Sequence, residues 1–217
     1  IISIDNPCVN YYVVKTKTEE GLKWNPGDHG IFTLPNNKVE GKALRVFSIA
    51  SIYEEGELTI GFRTGQVISD FKKILISLKP GDKIGLKGPI GTFSILDSSS
   101  PVVLIAGGVG ITPIRALLKQ LEHDTRRPIE LLYASSDHYL FGDEIEAIAK
   151  ANKQMNICRT KLIPETRDAL DKLLNKYCNT ACFYVSGAVP FIKAIKDQIK
   201  DTGVRDDRIV NDTFFGY

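Results

Sequence analysis

The chain has 217 residues, 43% hydrophobic and 25% charged, a globular balance that permits a buried core and argues against bulk disorder. Its 28 basic and 26 acidic residues leave a net charge of +2, without the concentrated basic face that a nucleic-acid partner requires. No apolar run approaches the roughly 18 residues needed to cross a bilayer, and no signal peptide is visible.

Residues 1–97 carry short β-type runs at 11–16, 31–34, 44–51, 58–62 and 83–87. Turn signals separate them at Pro26-Gly27-Asp28, Pro35-Asn36-Asn37, Glu55-Gly56 and Pro80-Gly81-Asp82. Strands at this spacing predict an antiparallel β-barrel. One helix interrupts it: Ser69-Asp70 caps a segment that places Phe71, Ile74, Leu75 and Leu78 on one face. Asp97-Ser98-Ser99-Ser100-Pro101 reads as a linker to a second domain over 98–217. There the pattern becomes βα repeats, with strands at 102–106, 129–133, 156–160, 182–185 and 208–210. Helices are predicted over 113–123, 143–152, 167–177 and 190–201, which implies a Rossmann-like parallel sheet covered on both faces.

Gly107-Gly108-Val109-Gly110-Ile111-Thr112-Pro113 follows the first buried strand and opens a helix. Its glycines let backbone approach a phosphate, and the helix start offers free N–H groups. Thr112 is expected to cap that start, with Pro113 in the first turn. As a Gly-x-Gly-x-x-Gly fingerprint the string fails, because Pro113 stands at the third glycine. The cysteines, Cys8, Cys158, Cys178 and Cys182, form no Cys-x-x-Cys pair. Cys178 and Cys182 are spaced to share a helical face, but without a second pair no metal site is expected. Reduced thiols fit a reducing compartment, hence the cytoplasm or the cytoplasmic face of a membrane. The histidines His29, His123 and His138 form no zinc string, and no Gly-x-Ser-x-Gly elbow supports a hydrolase. His29 is read as structural or adjacent to a bound group.

Several strings agree in order with one family. Arg45-Val46-Phe47-Ser48-Ile49-Ala50-Ser51 resembles the FAD signature of the ferredoxin–NADP reductase superfamily, and Gly88-Pro89-Ile90-Gly91-Thr92-Phe93 resembles a turn of that family. The glycine loop, Tyr184-Val185-Ser186-Gly187 and Asp212-Thr213-Phe214 are similar to its nicotinamide-side elements. The resemblance implies two cofactors, FAD and a nicotinamide nucleotide. It implies that Arg45 neutralises the FAD pyrophosphate, that Phe47 lies on the flavin or ribityl face, and that Ser48 stands near flavin N5. Val46, Phe62, Arg63, Ile68 and Ser69 complete the implied FAD site. Gly107, Gly108, Gly110, Thr112, Pro113, Ser135, Asp137, Ser186 and Gly187 make up the nucleotide site. Ser48, Ser186, Asp212 and Phe214 are the residues expected at the reacting atoms, with Phe214 shielding the flavin. The sequence departs from the family at Phe47, where Tyr is usual, at Ser186 for Cys, at Ala188-Val189 and at Asp212 for Glu. Gly65 also lies one place farther from Ser69 than the family pattern.

The stretch Tyr133-Ala134-Ser135-Ser136-Asp137-His138 lacks the Arg or Lys that a 2′-phosphate wants, and Asp137 would accept from ribose hydroxyls, so NADH is favoured over NADPH. Arg159 and Arg167 are the cations that could reverse this preference. The implied activity is transfer of hydride from NAD(P)H to FAD and of electrons to an acceptor protein or small molecule. Two other readings stand beside it. An electron-relay subunit, as in dihydroorotate dehydrogenase chains, would bring a C-terminal cysteine cluster, which Phe214-Phe215-Gly216-Tyr217 does not contain. A flavin-binding module without turnover is suggested by Ser186 and Ala188-Val189. The chain starts at Ile1 rather than Met, compatible with an upstream membrane or redox domain.

Overall fold

A computed structural model describes residues 1–214, the side chains of Thr213 and Phe214 excepted. The first half contains β1 (Ser3–Cys8), β2 (Tyr11–Thr16), β3 (His29–Thr33), β4 (Leu44–Ser48), β5 (Leu58–Arg63), α1 (Asp70–Ser77) and β6 (Gly85–Ile90). The strands form two three-stranded antiparallel sheets, β1-β2-β5 and β4-β3-β6. Ile49 bridges to Ile60 and joins them at the β4–β5 seam. The run predicted as 44–51 therefore ends as a strand at Ser48, because beyond it the backbone leaves its own sheet: Ile49 N–H donates to Asp28 and Ala50 N–H to Thr59. β1 was not predicted. Its Asp5-Asn6-Pro7 centre is exposed and its register slips between Asp5 and Cys8, as an edge strand tolerates. Ser69 caps α1 by accepting from Lys72 N–H at 3.5 Å, and Phe71 and Leu75 turn into a core shared with Phe32, Phe47, Ile60 and Phe62.

The second half contains β7 (Val102–Gly107), α2 (Ile111–Gln120), β8 (Ile129–Ala134), α3 (Gly142–Ala151), β9 (Met155–Thr160), α4 (Ile163–Tyr177), β10 (Cys182–Ala188), α5 (Val189–Asp201) and β11 (Ile209–Phe214). Its five strands run parallel in the order β11-β10-β7-β8-β9. β7 is buried on both faces, so it reads as a continuous apolar run. Leu104 and Ala106 pack with Ile114 and Leu117 of α2 and Ile145 of α3; Val103 and Ile105 pack with Leu170 of α4 and Ile192 and Ile195 of α5. α4 starts four residues before its predicted onset. Pro164 is compatible with a first turn, and the Glu165 carboxylate accepts from Lys161 and Leu162 N–H at 2.9 and 3.1 Å. Cys178 and Cys182 do not share a helical face: Cys178 ends α4 at φ +41° and Cys182 opens β10. No group of His, Cys, Asp and Glu among the described residues is arranged to hold a metal ion. No helix of the described residues is long and apolar enough to cross a membrane.

The two halves share one core. Tyr11, Val13, Ala50 and Phe93 of the first pack in the same cluster as Leu104, Ile114 and Phe141 of the second. Arg115 of α2 clasps the joint, bidentate to Glu55 at 2.5 and 2.7 Å, donating to Ala50 O at 3.1 Å and to Glu144 of α3 at 2.7 Å. The 97–101 segment is a set turn: Asp97 accepts from Ser99 N–H, Ser100 N–H and the Ser100 hydroxyl, and these bonds hold its carboxyl well below the usual range.

Candidate functional site

In an open parallel sheet the crevice lies at the carboxyl ends of the strands, where the order reverses. Here that point is between β7 and β10. A cleft of about 710 Å3 opens there, walled on one side by Tyr11, Arg45, Val46, Phe47, Phe62, Arg63 and Lys72, and on the other by Gly107, Gly108, Ser135, Asp137, Lys161 and Arg167. Five of these residues are cations and one, Asp137, is a carboxylate. Ser48, Ile68, Ser69, Gly110, Thr112, Pro113, Ser186, Gly187 and Asp212 do not line it.

Arg45 is 5% exposed, and its Nη1 donates only to the carbonyls of Lys42 and Leu44, both at 2.8 Å. Its Nε is buried without a partner, and no carboxylate pairs with it among the described residues. A buried guanidinium with an orphaned donor calls for an anion. Phe71 lies 5.5 Å beneath it, and Phe47 contacts Phe62 and Phe71 at centroid distances of 5.4 and 6.3 Å. Lys72 lies 5.6 Å from the centre of the Phe62 ring and donates to Arg63 O at 2.8 Å. Burial, then the neighbouring Arg45, lowers its pKa. Tyr11, Lys72 and Lys161 were not singled out from sequence. Lys72 had the strongest signal, since it stands in the first turn of the helix that Ser69 caps.

Ser48 and Asp212, 164 positions apart, meet: the Ser48 hydroxyl donates to Asp212 Oδ2 at 2.9 Å. Burial raises the Asp212 pKa, against the opposing pull of the Ser48 bond and of His29. His29 pairs directly with Ser48 across β3 and β4, so the two side chains share a face. Ser186 pairs with Asp212 across β10 and β11; it is fully buried, and its hydroxyl has no partner among the described residues. Ser48, Asp212 and Ser186 thus gather from the barrel and from two parallel strands. Phe214 ends β11, and its expected shielding role lies outside the described side chains.

The glycine string forms a tight 3-10 turn over 108–110 before α2. Gly108 holds φ +54° with open space where a Cβ would be, so bare backbone faces the cleft. Gly110 packs on β10, where a Cβ would stand 2.2 Å from Ser186 O. Thr112 does not cap the helix. It is fully buried, and its hydroxyl is placed to donate to Val109 O at 2.8 Å, with Gly61 O of the barrel at 3.3 Å, so it ties α2 to the first half. Pro113 is buried in the first turn, as expected.

The Asp137 carboxylate is not free. It pairs with Arg63 at 2.9 Å and accepts from the Tyr11 hydroxyl at 2.6 Å; burial and this bond push Tyr11 up to about 12. Ser135 Oγ donates to His138 O at 2.7 Å. Arg159 turns away to Glu146 and Tyr139, whereas Arg167 reaches the cleft.

Residues 104–197 match the model of the oxidoreductase NAD-binding domain. The chain is 25% identical over 204 residues to the electron transfer component of toluate 1,2-dioxygenase from Pseudomonas putida, covering 88% of this chain and 59% of that one. In structure it is similar to the flavohem-like FAD/NAD binding domain of nitric oxide dioxygenase from Vibrio cholerae, with a TM-score of 0.79, 22% identity, and coverage of 98% and 95%. The ferredoxin-NADP+ reductase of Plasmodium falciparum superposes at a TM-score of 0.79 with 20% identity, covering 99% and 93%. The chain spans about half the length of the curated relatives it matches. With its barrel, its parallel sheet and the Arg45–Ser48 string facing the glycine turn, the chain is similar in fold to these FAD/NAD binding domain and ferredoxin-NADP+ reductase structures, and its second half matches the oxidoreductase NAD-binding domain.

Proposed function

We propose that the chain is an NAD(P)H-dependent flavin reductase module that takes hydride from a nicotinamide nucleotide onto FAD and passes electrons to a separate acceptor. The observation that carries this reading is Arg45: a guanidinium 5% exposed, with no carboxylate partner among the described residues and an orphaned Nε, in the wall of the cleft. Its needs fit the pyrophosphate of FAD, and Phe47 and Phe62 offer apolar surface beside it. On the other wall, Gly108 offers bare backbone to a second phosphate-bearing ligand. Bound flavin supplies the redox chemistry, accepting a hydride and releasing electrons singly or in pairs. The chain's own residues orient the ligands and hold protons. Asp212, held by Ser48 and lifted by burial, is a carboxyl suited to retaining a proton beside the reacting atoms. The Ser186 hydroxyl, buried behind the glycine turn and without a partner among the described residues, is the donor that would serve the nicotinamide if the turn opens. We place the domain boundary at the Asp97–Pro101 turn, supported by the change from antiparallel to parallel pairing across it.

For the nucleotide we favour NADH, on Ser135-Ser136-Asp137. NADPH is the second reading, because Lys161 and Arg167 line the same cleft and neither forms an ion pair among the described residues. The acceptor is a redox protein or small molecule, as the relative's role in dioxygenase electron transfer suggests. The test is ferricyanide reduction by the FAD-loaded chain with each nucleotide. A kcat/KM for NADH about tenfold or more above that for NADPH is expected, equivalent to about 1.4 kcal/mol. The opposite preference would transfer the 2′-phosphate to Lys161 and Arg167. No flavin binding and no turnover with added FAD would overturn the whole reading.

A further inference from the structure

We infer that Lys72 is a second phosphate-binding cation of this site, acting beside Arg45 on the phosphate-bearing part of the flavin cofactor. The inference rests on the flavin reading above but adds a residue outside the Arg45–Ser48 string. Arg45 sits over Phe71 and Lys72 over Phe62, at 5.5 and 5.6 Å, and Phe47 packs between those rings. Both cations line one cleft wall. Neither has a carboxylate partner among the described residues, and Asp70, the acidic residue that opens α1, is turned to Glu40 N–H at 2.7 Å. Lys72 spends one of its three donors on Arg63 O, leaving two for a ligand. A lysine with only a surface role would extend its ammonium into water. This one is half-buried beside a second, unneutralised cation, and the effect is to pull its pKa down. Such a pair is unfavourable alone and favourable around a dianion. The Arg45 Nε, buried and unpartnered, is the independent sign that the anion belongs there.

The test is titration of the flavin-free chain with FAD, FMN and riboflavin, followed by quenching of flavin fluorescence. Lys72→Gln is expected to weaken FAD roughly 10- to 100-fold, the worth of one charge-assisted hydrogen bond, while leaving riboflavin unchanged. Lys72→Arg, which keeps the charge, is expected to retain FAD within a few-fold. FMN divides the phosphates: a loss equal to that of FAD assigns Lys72 to the ribityl-side phosphate, and no loss assigns it to the adenosine side. Equal weakening of FAD and riboflavin, or no weakening of FAD, would overturn the inference in favour of a packing role. A wild-type chain that binds none of the three flavins would instead overturn the flavin reading itself.

Discussion

Asp212 is held in the folded chain at a pKa above its ordinary value because burial disfavours its charge more than Ser48 and His29 support it. The sign of the consequence follows from linkage. Stability from this group is fully present below the unfolded carboxylate pKa and is lost as pH rises through the higher folded value. Asp212→Asn carries no such penalty, so it is expected to raise the Tm relative to the parent at pH 8, with the gain shrinking as pH falls toward 4. Thermal melts of both proteins across that range check it; a constant difference would show that the carboxylate is not strained. On the function proposed above, the same replacement is expected to slow reduction of bound flavin by the nicotinamide nucleotide, read as loss of flavin absorbance in stopped flow. At this scale the sequence pointed to Ser48, Asp212 and Ser186 separately, through family resemblance. What it could not supply was the 2.9 Å bond that joins residues 48 and 212, because it forms only where β11 of the parallel sheet meets β4 of the barrel.

The elements that position the site are joined by one polar clasp. Arg115 projects from α2 with its side chain 10% exposed, and it serves Glu55, Glu144 and the Ala50 carbonyl at once. Arg115→Ala leaves the Glu55 carboxylate without its partner at the joint, and a loss of about 3 kcal/mol is expected. Glu144 is half-exposed, so Glu144→Gln should cost less than about 1 kcal/mol. Urea midpoints of the two variants test the ranking; equal effects would mean that the Glu55 pair adds nothing beyond the exposed pair with Glu144. Most elements were legible because their signals are local. The β-type run Tyr11–Thr16 and the Ser69 cap with Phe71 and Leu75 both survive into the structure. β1 was illegible because an exposed edge with Asp5, Asn6 and Pro7 has no apolar alternation to read. Arg115 carried no motif, since its partners lie 29 and 60 positions away.

Across the whole molecule, the cluster that contains Tyr11, Ala50 and Phe93 together with Leu104 and Ile114 packs the two halves into one core, so they are expected to unfold as one cooperative unit. Trp24, the single tryptophan, is buried in the barrel, whereas four of the five α-helices belong to the second half. Urea unfolding followed by Trp24 fluorescence and by far-UV helicity should therefore give coincident transitions; two separated midpoints would show that the halves melt independently. Local pattern pointed to antiparallel strands, then βα repeats and a glycine turn, because turn chemistry, caps and apolar runs depend on residues a few positions apart; the Arg45–Ser48 string was legible only through family resemblance. Tertiary structure decided the rest. It left Arg45 without a carboxylate partner among the described residues, set Lys72 beside it, turned Thr112 from a helix cap into a tie to Gly61, and engaged Asp137 with Tyr11 and Arg63. Each of these depends on which charges and donors meet across a cleft between segments distant in sequence. That is a property of the folded surface, and no short window of residues contains it.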